Sequence, residues 1–327
     1  MAQPVEWLLE GPSWIQYRTR LDLLREPADA PTVLAARAAM SADDQVQSLL
    51  RELADWPGPC LTRHDDASHP LHKLAFVADL GLTVADQAMA QIAERILQRQ
   101  SVEGAFQIIA NIPPRFGGSG QDQLVWMLCD APLILYSLVR IGLGENAQVQ
   151  KAAAHLAGMA ADNGWPCAVT PELGKFRGPG RKTDPCPYAT LLAVRVLSLI
   201  PEWRDSPAVR TGAEALLGLW EQRKERRPYL FAMGRDFAKL KAPLIWYDIL
   251  HVTDALTKLP WLQQDGRLQE MLAIVAGKAD SQGRFTPESI WTAWKGWEFG
   301  QKRSPSRWLT LLAQSVLRTH SATDPSD

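Results

Sequence analysis

The chain has 327 residues, of which 35 are basic and 36 acidic, so its formal net charge is −1. This balance excludes a general electrostatic attraction to nucleic acid or to an anionic membrane surface. The N-terminal sequence lacks a basic segment followed by an apolar one, and no stretch reaches the roughly 20 apolar residues of a membrane span. We therefore expect a cytoplasmic protein with no integral membrane segment.

Amphipathic and strongly apolar helical patterns alternate along the chain, separated by loops that contain Gly with Pro or an aromatic residue. No segment shows the period-two alternation or the β-branched enrichment of strands, so the sequence predicts an all-α protein. In chain order, the patterns predict helices over 14–24, 31–40, 43–55, 71–78, 86–100, 131–141, 149–163, 189–200, 206–227, 243–259 and 304–318.

Helices of these two kinds fit two concentric rings, with the all-round apolar helices inside and the amphipathic helices outside. This α/α-toroid would form a single domain over 1–320, followed by a disordered tail over 321–327. In such an array the first turns of the inner helices converge at one end. Polar clusters occupy these first turns, so we expect the functional site there.

The segment 174–200 shows this arrangement most clearly. A loop rich in Gly and Pro leads into a helix whose residues from 189 to 200 carry no charge except Arg195. The polar side chains that come before or within its first turn are Arg177, Arg181, Lys182, Asp184, Cys186 and Tyr188. The other cysteines are Cys60, Cys129 and Cys167. Because nothing indicates export, we expect free thiols or metal ligands rather than disulfides.

A second cluster precedes the apolar helix over 71–78. His69 and His72 lie three residues apart, so they can share one helix face. Together with His64, Asp65 and Asp66 they form either a metal site or a hydrogen-bonded group at the start of the helix.

Other side chains at these positions could move a proton or bind a substrate. The candidate catalytic residues are Asp65, His69, Asp130, Tyr188 and Asp248. The candidate substrate-binding residues are basic or aromatic and comprise Trp126, Arg181, Lys182, Trp246, Tyr247, Trp294 and Arg307. The alternative that acidic residues here are helix caps stays open for Asp122, Asp130, Asp248 and Asp254. No strand precedes Gly117-Gly-Ser-Gly120, so we expect no nucleotide cofactor.

The pattern over 56–320 resembles the α/α-toroid shared by squalene and other class II terpene cyclases and by protein prenyltransferase β subunits. A more specific similarity lies in Gly174-Lys-Phe-Arg-Gly and in Arg181-Lys-Thr-Asp-Pro-Cys-Pro-Tyr188. These resemble the β-subunit segment in which basic residues bind the isoprenoid diphosphate and an Asp-x-Cys pair binds zinc. The resemblance implies zinc at Asp184, Cys186 and His251, and a small apolar substrate of isoprenoid type.

The zinc site is one of three interpretations of these residues. A tetrahedral Zn²⁺ accepts Asp, Cys and His and leaves one position open for substrate. In the second interpretation Asp184 caps the helix, Cys186 packs in the core and His251 is a hydrogen-bonded core residue. In the third, a different metal site uses Cys167. The sequence departs from the family at Pro187, where the family has an aromatic residue directly after the Cys.

Three functions follow from these observations. The first is an enzyme similar to prenyltransferases and terpene cyclases that binds an isoprenoid in a central cavity. The second is a metal-free lyase or isomerase that uses the Asp and His residues of the first turns. The third is a non-catalytic toroid that binds a peptide or a lipid. Class II cyclisation is disfavoured because Asp65-Asp66 lacks the first acid of the Asp-x-Asp-Asp motif. The need for a second subunit stays open.

Overall fold

The computed structural model describes residues 4–174, 181–228 and 231–321, with side chains described up to 318. Residues 175–180, which include Arg177, and residues 322–327 of the predicted tail lie outside the described residues. The chain divides into two compact units. We call Met1–Leu50 with Arg235–Asp327 the terminal unit, and Arg51–Gly234 the central unit.

The described residues are mostly helical, which confirms the prediction of an all-α protein at the level of fold class. The α-helices are α1 Val5–Leu9, α2 Ser13–Asp22, α3 Pro31–Ser41, α4 Asp44–Leu53, α5 Pro70–Leu80, α6 Gln87–Leu97, α7 Ala131–Leu138, α8 Ala147–Gly158, α9 Pro187–Leu197, α10 Pro201–Arg204, α11 Pro207–Glu221, α12 Ile249–Leu256, α13 Gly266–Ala276 and α14 Arg307–Ser321.

The central unit is built around α5, α7 and α9. Every residue of α7 and α9 is buried, and α5 is buried except at Lys73 and Asp79. Helix α7 packs against both α5 and α9, and the amphipathic helices α8 and α11 pack on this buried layer. Each buried helix has a proline in its first turn, where the missing N–H costs no hydrogen bond.

One ion pair and one phenol connect the three buried helices. Arg195 on α9 is 2% exposed, and its Nη2 donates to Asp79 Oδ2 on α5 at 3.2 Å. The same Nη2 donates to the Tyr136 hydroxyl of α7 at 2.9 Å, and that hydroxyl donates to Asp79. The guanidinium also lies 3.8 Å from the centre of the Tyr136 ring. The one charge within the apolar helix is therefore compensated inside the core.

A short hairpin departs from the prediction that the chain has no strands. Strand β1, Ile108–Ala110, pairs antiparallel with β2, Gln123–Val125. Three-residue strands are too short to show a period-two pattern in the sequence, so periodicity missed them. Ile108 and Val125 oppose each other and are both buried, so the hairpin contributes one apolar pair to the core of the central unit.

In the terminal unit, three helices pack against one another. Helix α12 packs against α13 and α14, and α14 packs against α1 and α2. The sequence predicted α12 over 243–259, but the helix is shorter. It begins later because Asp248 is its N-cap, and Asp248 Oδ1 accepts a hydrogen bond from the His251 N–H at 3.0 Å. No helix among the described residues has both the length and the apolar character needed to cross a membrane.

Candidate functional site

The first turns of α5, α7 and α9 meet in the central unit. His69 is the N-cap of α5, Asp130 of α7 and Cys186 of α9. His64, in the loop before α5, contacts Asp130, and Cys129 contacts Cys186. Residues far apart in sequence therefore form one continuous polar group at the ends of three packed helices.

His64 and Asp130 are the central pair of this group. His64 Nδ1 lies 3.1 Å from both carboxylate oxygens of Asp130. The Asp130 side chain is 1% exposed and the His64 side chain 30% exposed. Although Asp130 stands at an N-cap, its side chain makes no capping hydrogen bond, and its carboxylate faces the imidazole instead. A buried carboxylate that orients a partly exposed imidazole is the arrangement of a general acid/base.

The charge of Asp130 changes the protonation of His64. Burial alone would lower the pKa of His64, but the negative charge of Asp130 and the hydrogen bond to it outweigh burial. The net effect is a His64 pKa above its ordinary value of 6.5. A raised pKa favours the protonated imidazole, the form that donates a proton in acid catalysis.

His69 and His72 hold the loop that carries His64. His69 Nε2 donates to the Pro59 carbonyl at 3.0 Å, and its Nδ1 accepts from the Leu71 N–H at 3.1 Å. Both ring nitrogens of His69 are thus used in capping α5, rather than being directed at a reactant. His72 Nε2 donates to the carbonyl of His64 itself at 2.8 Å, so His72 holds the backbone that carries His64.

His72 is expected to make the protein sensitive to acid. It is 2% exposed, and burial lowers its pKa to about 4. Because the unfolded imidazole takes up a proton near pH 6.5 and the folded one does so only near pH 4, stability is lost as pH falls through this window. One such group accounts for about 3 kcal/mol of the free energy of unfolding.

Urea unfolding between pH 7 and pH 4 measures this effect. We expect the wild type to lose about 3 kcal/mol more than His72→Gln over this range, because Gln keeps a donor but does not titrate. Equal pH dependence in the two proteins would contradict a buried neutral His72.

Two thiols lie next to the acid/base pair. Cys129 Sγ and Cys186 Sγ are 3.9 Å apart, with the residues 8% and 3% exposed. The hydrogen bond between the two sulfurs lowers the pKa of Cys186 against the opposing effect of burial, assisted by the N–H groups of Tyr188 and Ala189 and by the charge of His64. The same hydrogen bond, together with burial, raises the pKa of Cys129 well above its ordinary value. Cys186 is therefore the more acidic thiol of the pair.

Tyr188 and Asp65 border the same group. Tyr188 is fully buried, and burial together with the charge of Asp130 raises its pKa well above the ordinary value. Its phenol is therefore a proton donor rather than a base at neutral pH. Asp65 is bound by Arg63 at 3.0 and 3.1 Å and is partly exposed. The structure thus brings together four residues predicted from the sequence: Asp65, Asp130, Cys186 and Tyr188.

The neighbouring loop carries the residues for which the resemblance implies diphosphate and zinc binding. The carboxylate of Asp184 accepts from Arg226 at 2.8 Å, and Arg181 and Lys182 are exposed. No group of three or more His, Cys, Asp or Glu side chains within the described ranges is placed to hold a metal ion. Zinc binding therefore stays a prediction from the resemblance alone.

Two acid/base candidates belong to the terminal unit, at the start of α12. Asp248 is fully buried, burial raises its pKa to about 6, and its Oδ2 has no hydrogen-bond partner among the described residues. His251 is fully buried, and its Nδ1 lies 2.9 Å from the carbonyl of Trp246. Both side chains thus serve the first turn of α12, where Asp248 is the cap.

The aromatic and basic candidates mostly pack inside their own units. Trp294 belongs to a cluster with Trp297 and Phe299, with ring centres 5.6 and 5.9 Å away. Arg307 Nε donates to the Trp7 carbonyl at 2.8 Å, and its guanidinium lies over the Trp7 ring. Tyr247 packs on Phe237, and in the central unit Trp126 packs on His155. These contacts favour structural roles for the four residues. The remaining aromatic candidate, Trp246, is half-buried, and its carbonyl lies 2.9 Å from His251 Nδ1.

The comparisons with known proteins assign no family. No family model and no curated protein matches the chain. Among solved structures, the chain is similar to the crystal structure of a protein from Actinoplanes, with 14% identity over 94% of this chain and 90% of that chain. The TM-score is 0.43, so this likeness carries no argument about the site.

Proposed function

We propose that the protein is a metal-free acid/base enzyme, a lyase or isomerase, in which His64 moves a proton on or off the substrate. The observation that carries this proposal is the contact of His64 Nδ1 with both oxygens of the buried Asp130 at 3.1 Å. Because Nδ1 is engaged with Asp130, Nε2 is the nitrogen that would face the substrate. Asp130 would hold the ring orientation and stabilise the imidazolium that forms.

The groups around His64 would complete the chemistry. The Tyr188 phenol keeps its proton at neutral pH and could donate a hydrogen bond to developing negative charge. Negative charge on Cys186 would stabilise the protonated state of His64, since that charge raises the His64 pKa. His72 would fix the backbone that carries His64 through its hydrogen bond at 2.8 Å. Each role needs only residues of the central unit.

We also propose that the chain is an α/α-toroid and that its substrate is small, apolar and of isoprenoid type. In the central unit, the alternation of buried helices α5, α7 and α9 with amphipathic α8 and α11 supports two helical layers. The isoprenoid substrate is carried over from the resemblance of the segment around Cys186. A zinc-dependent prenyltransferase remains the alternative, and it requires His251 to join Asp184 and Cys186.

Hydrogen exchange during turnover tests the proposal. The full chain would be incubated in D₂O with geranyl, farnesyl and geranylgeranyl diphosphates and the corresponding alcohols, before and after dialysis against a chelator. We expect deuterium in the product or the recovered substrate, unchanged by chelation and lost in His64→Gln. Turnover that stops on chelation and returns with zinc would favour the prenyltransferase. Deuterium incorporation that persists in His64→Gln would contradict the proposal.

A further inference from the structure

We propose that Cys129 and Cys186 form a reversible disulfide on reaction with a hydroperoxide, and that this disulfide inactivates the His64 site. The formation of the disulfide stands on the geometry of the two sulfurs alone. Its effect on turnover rests on the proposed function, and the two statements are tested by different measurements.

The two sulfurs are already in contact. Their separation is 3.9 Å, so they must approach by roughly 1.9 Å to reach the 2.05 Å of a disulfide bond. Each Cys occupies a fixed position, since Cys186 is the N-cap of α9 and Cys129 directly precedes the N-cap of α7. Helices α7 and α9 pack against each other, so the backbones of the two cysteines are held close together. A side-chain rotation, rather than a rearrangement of the fold, would form the bond.

The two thiols differ in a way that assigns their roles. Cys186 is the N-cap of α9 and lies at the positive end of that helix, a position that favours its thiolate. Cys129 lies one residue before the N-cap of α7. The thiolate is the form that attacks a peroxide. Cys186 is therefore the peroxidatic thiol and Cys129 the resolving thiol.

The chemistry balances with a hydroperoxide as the oxidant. The Cys186 thiolate attacks the distal oxygen of the peroxide, the O–O bond breaks, and the leaving alkoxide or hydroxide takes a proton. Cys186 is now a sulfenic acid. Cys129 sulfur then attacks the Cys186 sulfur, the S–O bond breaks, and the thiol proton leaves with the hydroxyl as water. A dithiol reductant restores both thiols by exchange.

The remaining cysteines provide the competing outcomes. Cys60 is more exposed than the pair, but burial and the hydrogen bond to Asp122 raise its pKa to about 11. Cys167 is also partly exposed and lies near enough to Cys129 to raise the pKa of that thiol. Exposure alone would direct oxidation to Cys60 or Cys167, whereas the geometry directs it to Cys186.

Mass spectrometry of the full chain distinguishes these outcomes. Reduced protein would be treated with hydrogen peroxide, blocked with N-ethylmaleimide and digested without reduction. We expect a crosslink between the Cys129 and Cys186 peptides, protection of two of the four thiols, and full recovery with dithiothreitol. In Cys129→Ser and Cys129→Ala, dimedone should label Cys186 as a sulfenic acid. Cys60→Ser is the matched control and should form the same disulfide as the wild type.

Three results would overturn the inference. They are a dominant disulfide through Cys60 or Cys167, oxidation that leaves Cys186 untouched, and a disulfide between two chains in place of one within the chain. The effect on the site is read separately as deuterium exchange, which should fall in proportion to the disulfide fraction and return on reduction. If the disulfide forms but the measured rate of deuterium exchange does not change, the proposed redox chemistry stands. The proposed control of the His64 site is then contradicted.

Discussion

Replacing Asp79 by Ala should lower the free energy of unfolding by about 3–5 kcal/mol, the usual cost of leaving a buried charge without its partner. Arg195 is 2% exposed and shares Asp79 with the Tyr136 hydroxyl. These three residues come from α9, α5 and α7, so the change removes a contact that all three buried helices share. Urea unfolding of the two proteins measures the difference.

Two further variants make this test specific. Asp205→Ala removes an exposed carboxylate, 3.8 Å from Arg210, and should change stability far less. Replacing the charges together, as Asp79→Leu with Arg195→Met, should recover most of the loss, because well-packed apolar residues often substitute for a buried ion pair without cost. A single variant Asp79→Ala as stable as the wild type would mean that the ion pair does not hold α5, α7 and α9 together.

Asp130→Asn should reduce kcat/KM by about 10²–10⁴-fold on whichever substrate supports deuterium exchange, the usual contribution of a positioned acid/base. Asn has nearly the shape of Asp, but it lacks the charge that orients His64 and keeps its pKa high. Asn fills the same buried space as Asp130, so the protein should still fold, with a modest loss of stability. Steady-state rates at several pH values measure the effect.

The matched control for this variant is Asp122→Asn. Asp122 is another acidic residue in the segment before α7, but its carboxylate is exposed and accepts from Asn111 at 2.9 Å. Its replacement should leave the rate within about twofold of the wild type, as expected for a group outside the acid/base pair. Equal losses in Asp122→Asn and Asp130→Asn would remove the special role of Asp130.

The sequence predicted the helices better than the contacts between them. The apolar character of 189–200 correctly indicated that α9 is buried all round, because a helix with no polar face has no side suited to water. Its one charge, Arg195, was visible in the sequence, but its partner Asp79 lies 116 residues away. No local pattern connects two such residues, since their contact depends on how α5 and α9 pack on α7.

The candidate site was predicted in part for the same reason. The sequence predicts polar residues at the starts of apolar helices, and in the structure Asp130 and Cys186 are the N-caps of α7 and α9. In the sequence, His64 is one member of a His-rich cluster, and His69 is the candidate catalytic histidine. In the structure, both ring nitrogens of His69 are used in contacts around α5. The pairing of Cys129 with Cys186, 57 residues apart, left no signal in the sequence.

The central claim is that Asp130 makes His64 an acid/base group, and an NMR titration of the histidine side chains tests it most directly. The His64 signals among those of the six histidines are identified by their loss in His64→Gln. We predict a His64 pKa above 6.5 in the wild type and a lower value in Asp130→Asn. A His64 pKa at or below 6.5 that does not change in Asp130→Asn would contradict the account.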